Sequence, residues 1–158
     1  MSEKTSIPFF SAGNLISEVN GEKYGANKLV NDKEQNQVIL IDKVNQLHEN
    51  QGTIILAGHF CIFGSNDTIE LLPDSVFDKL KLSKIVLLET ESSLVSKHLR
   101  QRDGKAYAIS VLDELVEKER DQAKKTSCRL GCPLFVYRMR FNDDDLSNLL
   151  TYVMEEIS

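Results

Sequence analysis

A chain of 158 residues, 41% hydrophobic and 27% charged, carries enough apolar content for one buried core and is short of two comfortable domains, which excludes disordered, collagen-like and low-complexity classes. Its 24 acidic and 19 basic side chains give a formal charge of −5, so general attraction to nucleic acid or an anionic membrane is not expected, and a phosphate ligand needs a local pocket. No apolar run approaches the roughly 20 residues of a bilayer span. Met1 to Ser6 lacks the regions of a signal peptide, and Cys61, Cys128 and Cys132 are too few for a disulfide framework, so the expectation is a cytoplasmic protein with reduced thiols.

Short β-rich runs alternate with amphipathic stretches, the pattern of a parallel sheet with helical crossovers. Ile7 to Phe10 reads as a strand, followed by Ser11-Ala12-Gly13, a short helix over Asn14 to Val19 and a turn at Asn20-Gly21. From Asn31 to Gln51, Val38, Leu40, Ile41, Val44 and Leu47 recur at helical steps, with Asn31 and Glu34 as a capping start and Gly52 as the stop. Thr53 to Ala57 is an apolar run bounded by glycines, which predicts a central strand covered on both faces. Residues 60–63 and 68–72 flank the turn-rich Gly64-Ser65-Asn66-Asp67 as either a small hairpin or an irregular excursion, and Pro73 opens a short helix to Leu80 with Val76, Phe77 and Leu80 on one face.

Lys84 to Glu89 is a second buried strand, and helices follow over Ser92 to Arg102, stopped by Asp103-Gly104, and over Ser110 to Leu130, with Ser110 and Asp113 as a capping pair and Gly131 as terminator. Pro133 to Tyr137 is the third such strand. Asn142 to Ile157 is a helix with Leu146, Leu149, Leu150, Val153, Met154 and Ile157 as its apolar stripe. The fold class is α/β: a three-layer parallel sheet with helices on both faces.

Ligands of open parallel sheets sit at the carboxyl ends of the strands. Those positions hold Ser11-Ala12-Gly13, Gly58-His59-Phe60, Glu89 and Arg138. Gly13 and Gly58 would let backbone approach a ligand, and Ser11 and His59 offer hydrogen bonds; the plainer reading has Gly58 ending a strand and His59 packed into its loop. Arg100, Arg102, Arg120, Lys124, Lys125 and Arg129 lie on two successive helices and would suit a phosphate clamp, while the alternative is a solvated face with an ordinary Asp121–Lys125 pair. Cys128 and Cys132 lack a second pair at zinc spacing, and Asp143-Asp144-Asp145 has the place of a helix start rather than a calcium loop, so no metal site is expected from these residues.

In order, Phe9-Phe10-Ser11-Ala12-Gly13-Asn14-Leu15-Ile16, Gly58-His59-Phe60, Leu94 to Asp103 and Glu119-Arg120-Asp121-Gln122-Ala123 resemble the adenylate-kinase-like branch of the P-loop NTPases, which includes nucleotide kinases and small AAA-type ATP-binding proteins. They resemble that family's Ser-Thr-Gly acceptor turn, its Asp-Gly-Phe-Pro turn, its arginine-bearing helix before the lid and the helix returning from it. The resemblance covers most of the chain, as one domain over 1–158 with a lid shortened to about 103–110. It implies ATP and magnesium as ligands, Arg102, Arg120 and His98 as nucleotide contacts, and Ser11, Gly13, Gly58 and His59 on the acceptor side.

The sequence also departs from that pattern. It contains no Gly-x-x-x-x-Gly-Lys-Ser/Thr phosphate loop; its Gly104-Lys105-Ala106 lies far downstream, without the earlier glycine. Met1 to Ser6 resembles the tail of the helix that follows such a loop, so the expectation is a domain lacking its first strand and loop. Ser17 and Cys61 stand where acceptor-binding arginines are expected, and Ala57 where an acidic residue would help hold magnesium. Two functional expectations follow: a kinase-like or ATPase nucleotide binder, inactive without its loop, or a non-catalytic module whose uncovered sheet is filled by a partner or a second copy.

Overall fold

The structure, a computed structural model, describes residues 6–20 and 33–155. The cap expected at Asn31, the turn at Asn20-Gly21, Ile157 and the helix tail expected over Met1 to Thr5 fall outside those residues. Strand β1 (Phe9–Ser11) runs straight into helix α1 (Ala12–Asn20), so Gly13 lies in a first helical turn, not in an open loop, and its carbonyl accepts from Ser17 Oγ at 2.9 Å. Helix α2 (Lys33–Gln51) stops at Gly52, whose positive φ of 72° lets its N–H close on the His48 carbonyl at 3.0 Å.

Strand β2 (Ile55–Ala57) follows, and then β3 (Cys61–Phe63) and β4 (Ile69–Leu71) form an antiparallel hairpin, the first of the two alternatives read from the sequence. Helix α3 (Asp74–Leu80) is capped by Pro73 in extended conformation, one position outside the predicted start. Strand β5 (Ile85–Glu89), helix α4 (Ser92–Asp103), helix α5 (Ile109–Leu130), strand β6 (Leu134–Arg138) and helix α6 (Asp145–Glu155) complete the described order. Ser110 does not cap α5. Ala108 holds the cap position without a side-chain bond, and Asp113 instead accepts from Ser92 Oγ of the preceding helix. Helix α6 starts three residues later than expected because Asn142 Oδ1 accepts the N–H groups of Asp144 and Asp145 at 3.2 and 3.1 Å.

The single sheet expected from the sequence is divided among the described residues. Strand β1 pairs in parallel with β2, Phe9 opposite Ile55 and Ser11 opposite Ala57, and β5 pairs in parallel with β6, Ile85 opposite Leu134 through Glu89 opposite Arg138. Among the described residues no ladder joins the two pairs and β2 has β1 as its one partner, so it is not seen as a central strand, and its residues are half-buried or exposed. What unites the pairs is the helical side. Phe10 and Leu56 pack on Leu15, Leu40, Val44, Val76, Phe77 and Leu80; Ile85 and Leu87 pack on Ala123 and Cys132; Phe60, Leu82 and Leu130 touch both clusters. Each fully buried Leu, Val or Phe there contributes about 1.5–3 kcal/mol.

On the opposite face of β5–β6, Phe135 meets the Tyr152 ring edge-on at 5.5 Å and Tyr137 Oη donates to Asp145 Oδ1 at 3.1 Å, so α5 and α6 cover the two faces of that pair. Parts of the expected stripes turn outward. Val38 is 57% exposed because it sits about 120° around α2 from Val44, and Leu146 and Met154 flank the buried Leu149, Leu150 and Val153. No described helix is long and apolar enough to cross a membrane.

Candidate functional site

Because β1 and β2 run parallel and in register, their carboxyl ends deliver Ser11 and Ala57 side by side, and the residues just beyond meet. A Cβ on Gly58 would lie 3.5 Å from Ala12 Cβ, ordinary contact, so the glycine is not demanded by crowding. Ser11, Gly13, Gly58 and His59, singled out from separate segments, thus share one rim. His59 does not pack into its loop: its side chain is 77% exposed, with Nδ1 3.4 Å from Glu119 Oε1.

Glu119 is the residue that sequence reasoning missed as a site. From α5 its carboxylate reaches the turn after β2 and accepts the N–H groups of Phe60 and Cys61 at 3.0 and 3.1 Å, and its side chain is only 14% exposed. The signal was available: Leu112, Glu119, Ala123 and Thr126 recur at helical steps, and three of the four are fully buried, so Glu119 is a charge set in the apolar stripe of its helix. Two backbone donors in sequence form a concave anion site, here filled by the protein's own carboxylate. Burial first, then the Glu119 charge, push the Cys61 thiol up to about 12 and keep it neutral.

The β5–β6 rim carries the other charges. Arg120, next to Glu119, binds Glu89 at the end of β5, and this hydrogen bond holds the guanidinium above its usual range. Arg138 ends β6 and binds Glu91 at 3.0 Å. Beyond it lies an open cleft of about 380 Å³, lined among others by Tyr137, Arg138, Arg140, Asn142, Asn148 and Tyr152. Asp145 fixes the cleft's wall by accepting from Arg140 N at 2.9 Å and Phe141 N at 2.6 Å. Phe141 is thereby held at a positive φ of 56°, strained for a bulky residue, and its ring lies 4.1 Å from that of His98.

Arg102 is a separate case. It forks onto its neighbour Asp103, raising its own pKa and lowering that of the carboxyl, and no described contact joins it to Arg120. The clamp of cations is not assembled either. Lys125 and Arg129 pair with Asp74, Arg129 also with Asp78, which corrects the Asp121–Lys125 expectation and leaves these side chains bridging α5 to α3.

Among the described residues no three His, Cys, Asp or Glu side chains gather, Ala57 offers no ligand, and the nearest strand-end carboxylate, Glu89, is engaged by Arg120.

Parallel strand pairs, each strand followed by a helix or turn at its carboxyl end, are the arrangement of open α/β folds, in which ligands sit at those ends. A family model described as an AAA domain matches residues 1–116, and the chain belongs to that family of kinase-like P-loop NTPase domains. No curated protein matches the chain.

Proposed function

We propose that this chain is an ATP-binding domain of the nucleotide-kinase-like type, whose strand-end rim contacts a nucleoside triphosphate and an acceptor. The observation that carries the reading is the convergence of Ser11, Gly13, Gly58 and His59 at the carboxyl ends of two parallel strands within the matched span. The nucleoside end belongs by chemistry to the other pair, where His98 and Phe141 offer ring faces and Arg138 and Arg140 flank the cleft. Arg120 is reserved for phosphate oxygens, which would compete with Glu89 for its fork.

Phosphoryl transfer depends on charge stabilisation around the moving group. The 158 residues contain no glycine-rich loop with its lysine, and the acceptor side offers Ser17 and neutral Cys61 in place of arginine. This chain therefore binds ATP weakly and turns it over undetectably. Incubation with ATP and magnesium, followed by phosphate release and by calorimetry at ATP concentrations on the order of 10 mM, tests both halves. The reading is lost if no binding heat appears at that concentration.

A specific observation favours a second reading, a non-catalytic module covered by a partner or a second copy. Strands β1, β2, β5 and β6 each have one paired neighbour among the described residues, and Phe9 on β1 and Leu88 on β5 are 46% and 50% exposed. Light scattering after size exclusion tests the second copy: a dimer at high micromolar concentration supports it, and a monomer sinks that form of the reading.

A further inference from the structure

We propose that Glu89 is an internal competitor for an oxyanion site at Arg120, so that a phosphate chain binds at this strand end by displacing the protein's own carboxylate. The proposal deepens the nucleotide-binding reading and rests on it for the word phosphate. Three groups suited to an anion lie at or just beyond the carboxyl ends of β2, β5 and β6, and each already holds a carboxylate of the chain. The N–H pair of Phe60 and Cys61 holds Glu119, Arg138 holds Glu91, and Arg120 holds Glu89.

Exposure decides which of the three a ligand can take. Glu119 is anchored by two backbone donors and its side chain is 14% exposed, so the amide pair is closed to competition. Arg138 and Glu91 are 70% and 64% exposed, where solvent and salt screen the pair and weaken its hold on any anion. Arg120 lies between these extremes: its side chain is 43% exposed and can be reached, whereas Glu89, at 18%, is shielded and directs its charge onto the guanidinium. The hydrogen bond to Glu89 and the attraction between the two charges raise the Arg120 pKa, so the group stays a cation whichever anion holds it. Glu89 engages it through Nε, one of five N–H donors, and a phosphate chain offers the fork more oxygens than one carboxylate does. The apparent affinity for that chain falls with the fraction of Arg120 left free, and an ion pair at this exposure lowers it about fivefold.

Calorimetric titration of the intact chain and of Glu89→Gln with inorganic pyrophosphate, without nucleotide or metal, tests this. The expected result is about fivefold tighter binding in Glu89→Gln, and no such gain when both chains also carry Arg120→Gln. Equal affinity in the intact chain and Glu89→Gln overturns the proposal, as does the absence of binding in Glu89→Gln. A gain that survives Arg120→Gln also overturns it, because the loss of one negative charge then accounts for the change. The intact chain supplies a second measurement that needs no variant: pyrophosphate, to concentrations on the order of 10 mM, is expected to move the Arg120 Nε–H and Glu89 side-chain carboxyl signals together. An Arg120 signal that moves without Glu89, or that stays in place, overturns the displacement even if Glu89→Gln does not fold. Pyrophosphate carries no nucleoside, so failure of ATP binding is distinguishable from failure of this inference.

Discussion

Phe60 joins the rim to the core, and the strength of that joint can be measured. It is the first residue after His59, its amide is held by Glu119, and its ring lies 4.8 Å from that of Phe77 at an interplanar angle of 31°. Phe77 is 6% exposed and belongs to the cluster under β1 and β2, while Phe60 also touches the cluster under β5 and β6. Phe60→Leu and Phe77→Leu keep apolar volume but remove the ring contact, so each is expected to cost about 1 kcal/mol. A tilted aromatic pair contributes about 0.5–1.5 kcal/mol beyond buried area, and both single variants lose it, so the double variant is expected to be less destabilised than the sum by that amount. Urea unfolding reads this directly: with a slope of roughly 2 kcal/mol per molar, each single substitution moves the midpoint down by about 0.5 M. Strict additivity, within about 0.3 kcal/mol, would refute the coupling of the rim to the core.

Three further outcomes are expected. Leu112→Ala, at a side chain with no exposed surface, costs about 2–5 kcal/mol by chemical denaturation, and a cost below about 1 kcal/mol means α5 is not seated as described. Tyr107→Ala removes the ring stacked on Phe63 at 4.7 Å and faced by Lys105, so amide exchange should accelerate over 104–108 and in the β3–β4 hairpin while β5–β6 stays unchanged; equal rates in both contradict the tie. Burial raises the Asp145 pKa, but N–H donors from Arg140 and Phe141, with Tyr137 Oη, lower it more, so the folded value lies below the ordinary 3.8. Its stabilisation is therefore complete above that value and lost as pH falls through the lower folded one. Amide shifts of 140–145 should hold steady to about pH 4 and move only below it, and an earlier transition argues against this cap.

Most elements were legible because their signals are local. The stripe through Leu40, Val44 and Leu47 and the stops at Gly52, Gly104 and Gly131 are written in periodicity and φ preference, and the structure carries all of them. Cap choices were less legible, since Ser110 and Asp113 satisfy the pattern but Ser92, from another helix, competes for the same carboxylate. The division of the sheet was not legible at all: an apolar run such as Thr53 to Ala57 states that a strand is burial-prone, not which strand lies beside it. At the site, strand ends could be named in advance because topology places ligands there; Glu119 was marked by its place in the buried stripe of its helix, but its partners were not, since they required knowing that Glu119, 58 residues downstream from Cys61, crosses the same turn. Arg102 shows the converse, a residue whose type and position suit phosphate but whose fork is taken by Asp103.

We propose that nucleotide binds along the carboxyl ends of β1, β2, β5 and β6. Amide and side-chain shift mapping of the isotope-labelled chain during titration with ATP, to concentrations on the order of 10 mM, tests it most directly. Binding there perturbs only Ser11–Gly13, Gly58–Cys61, His98, Glu89 with Arg120, and Arg138–Asn142. Perturbations centred elsewhere, such as the α3–α5 ion pairs around Asp74, or none at all, would contradict it.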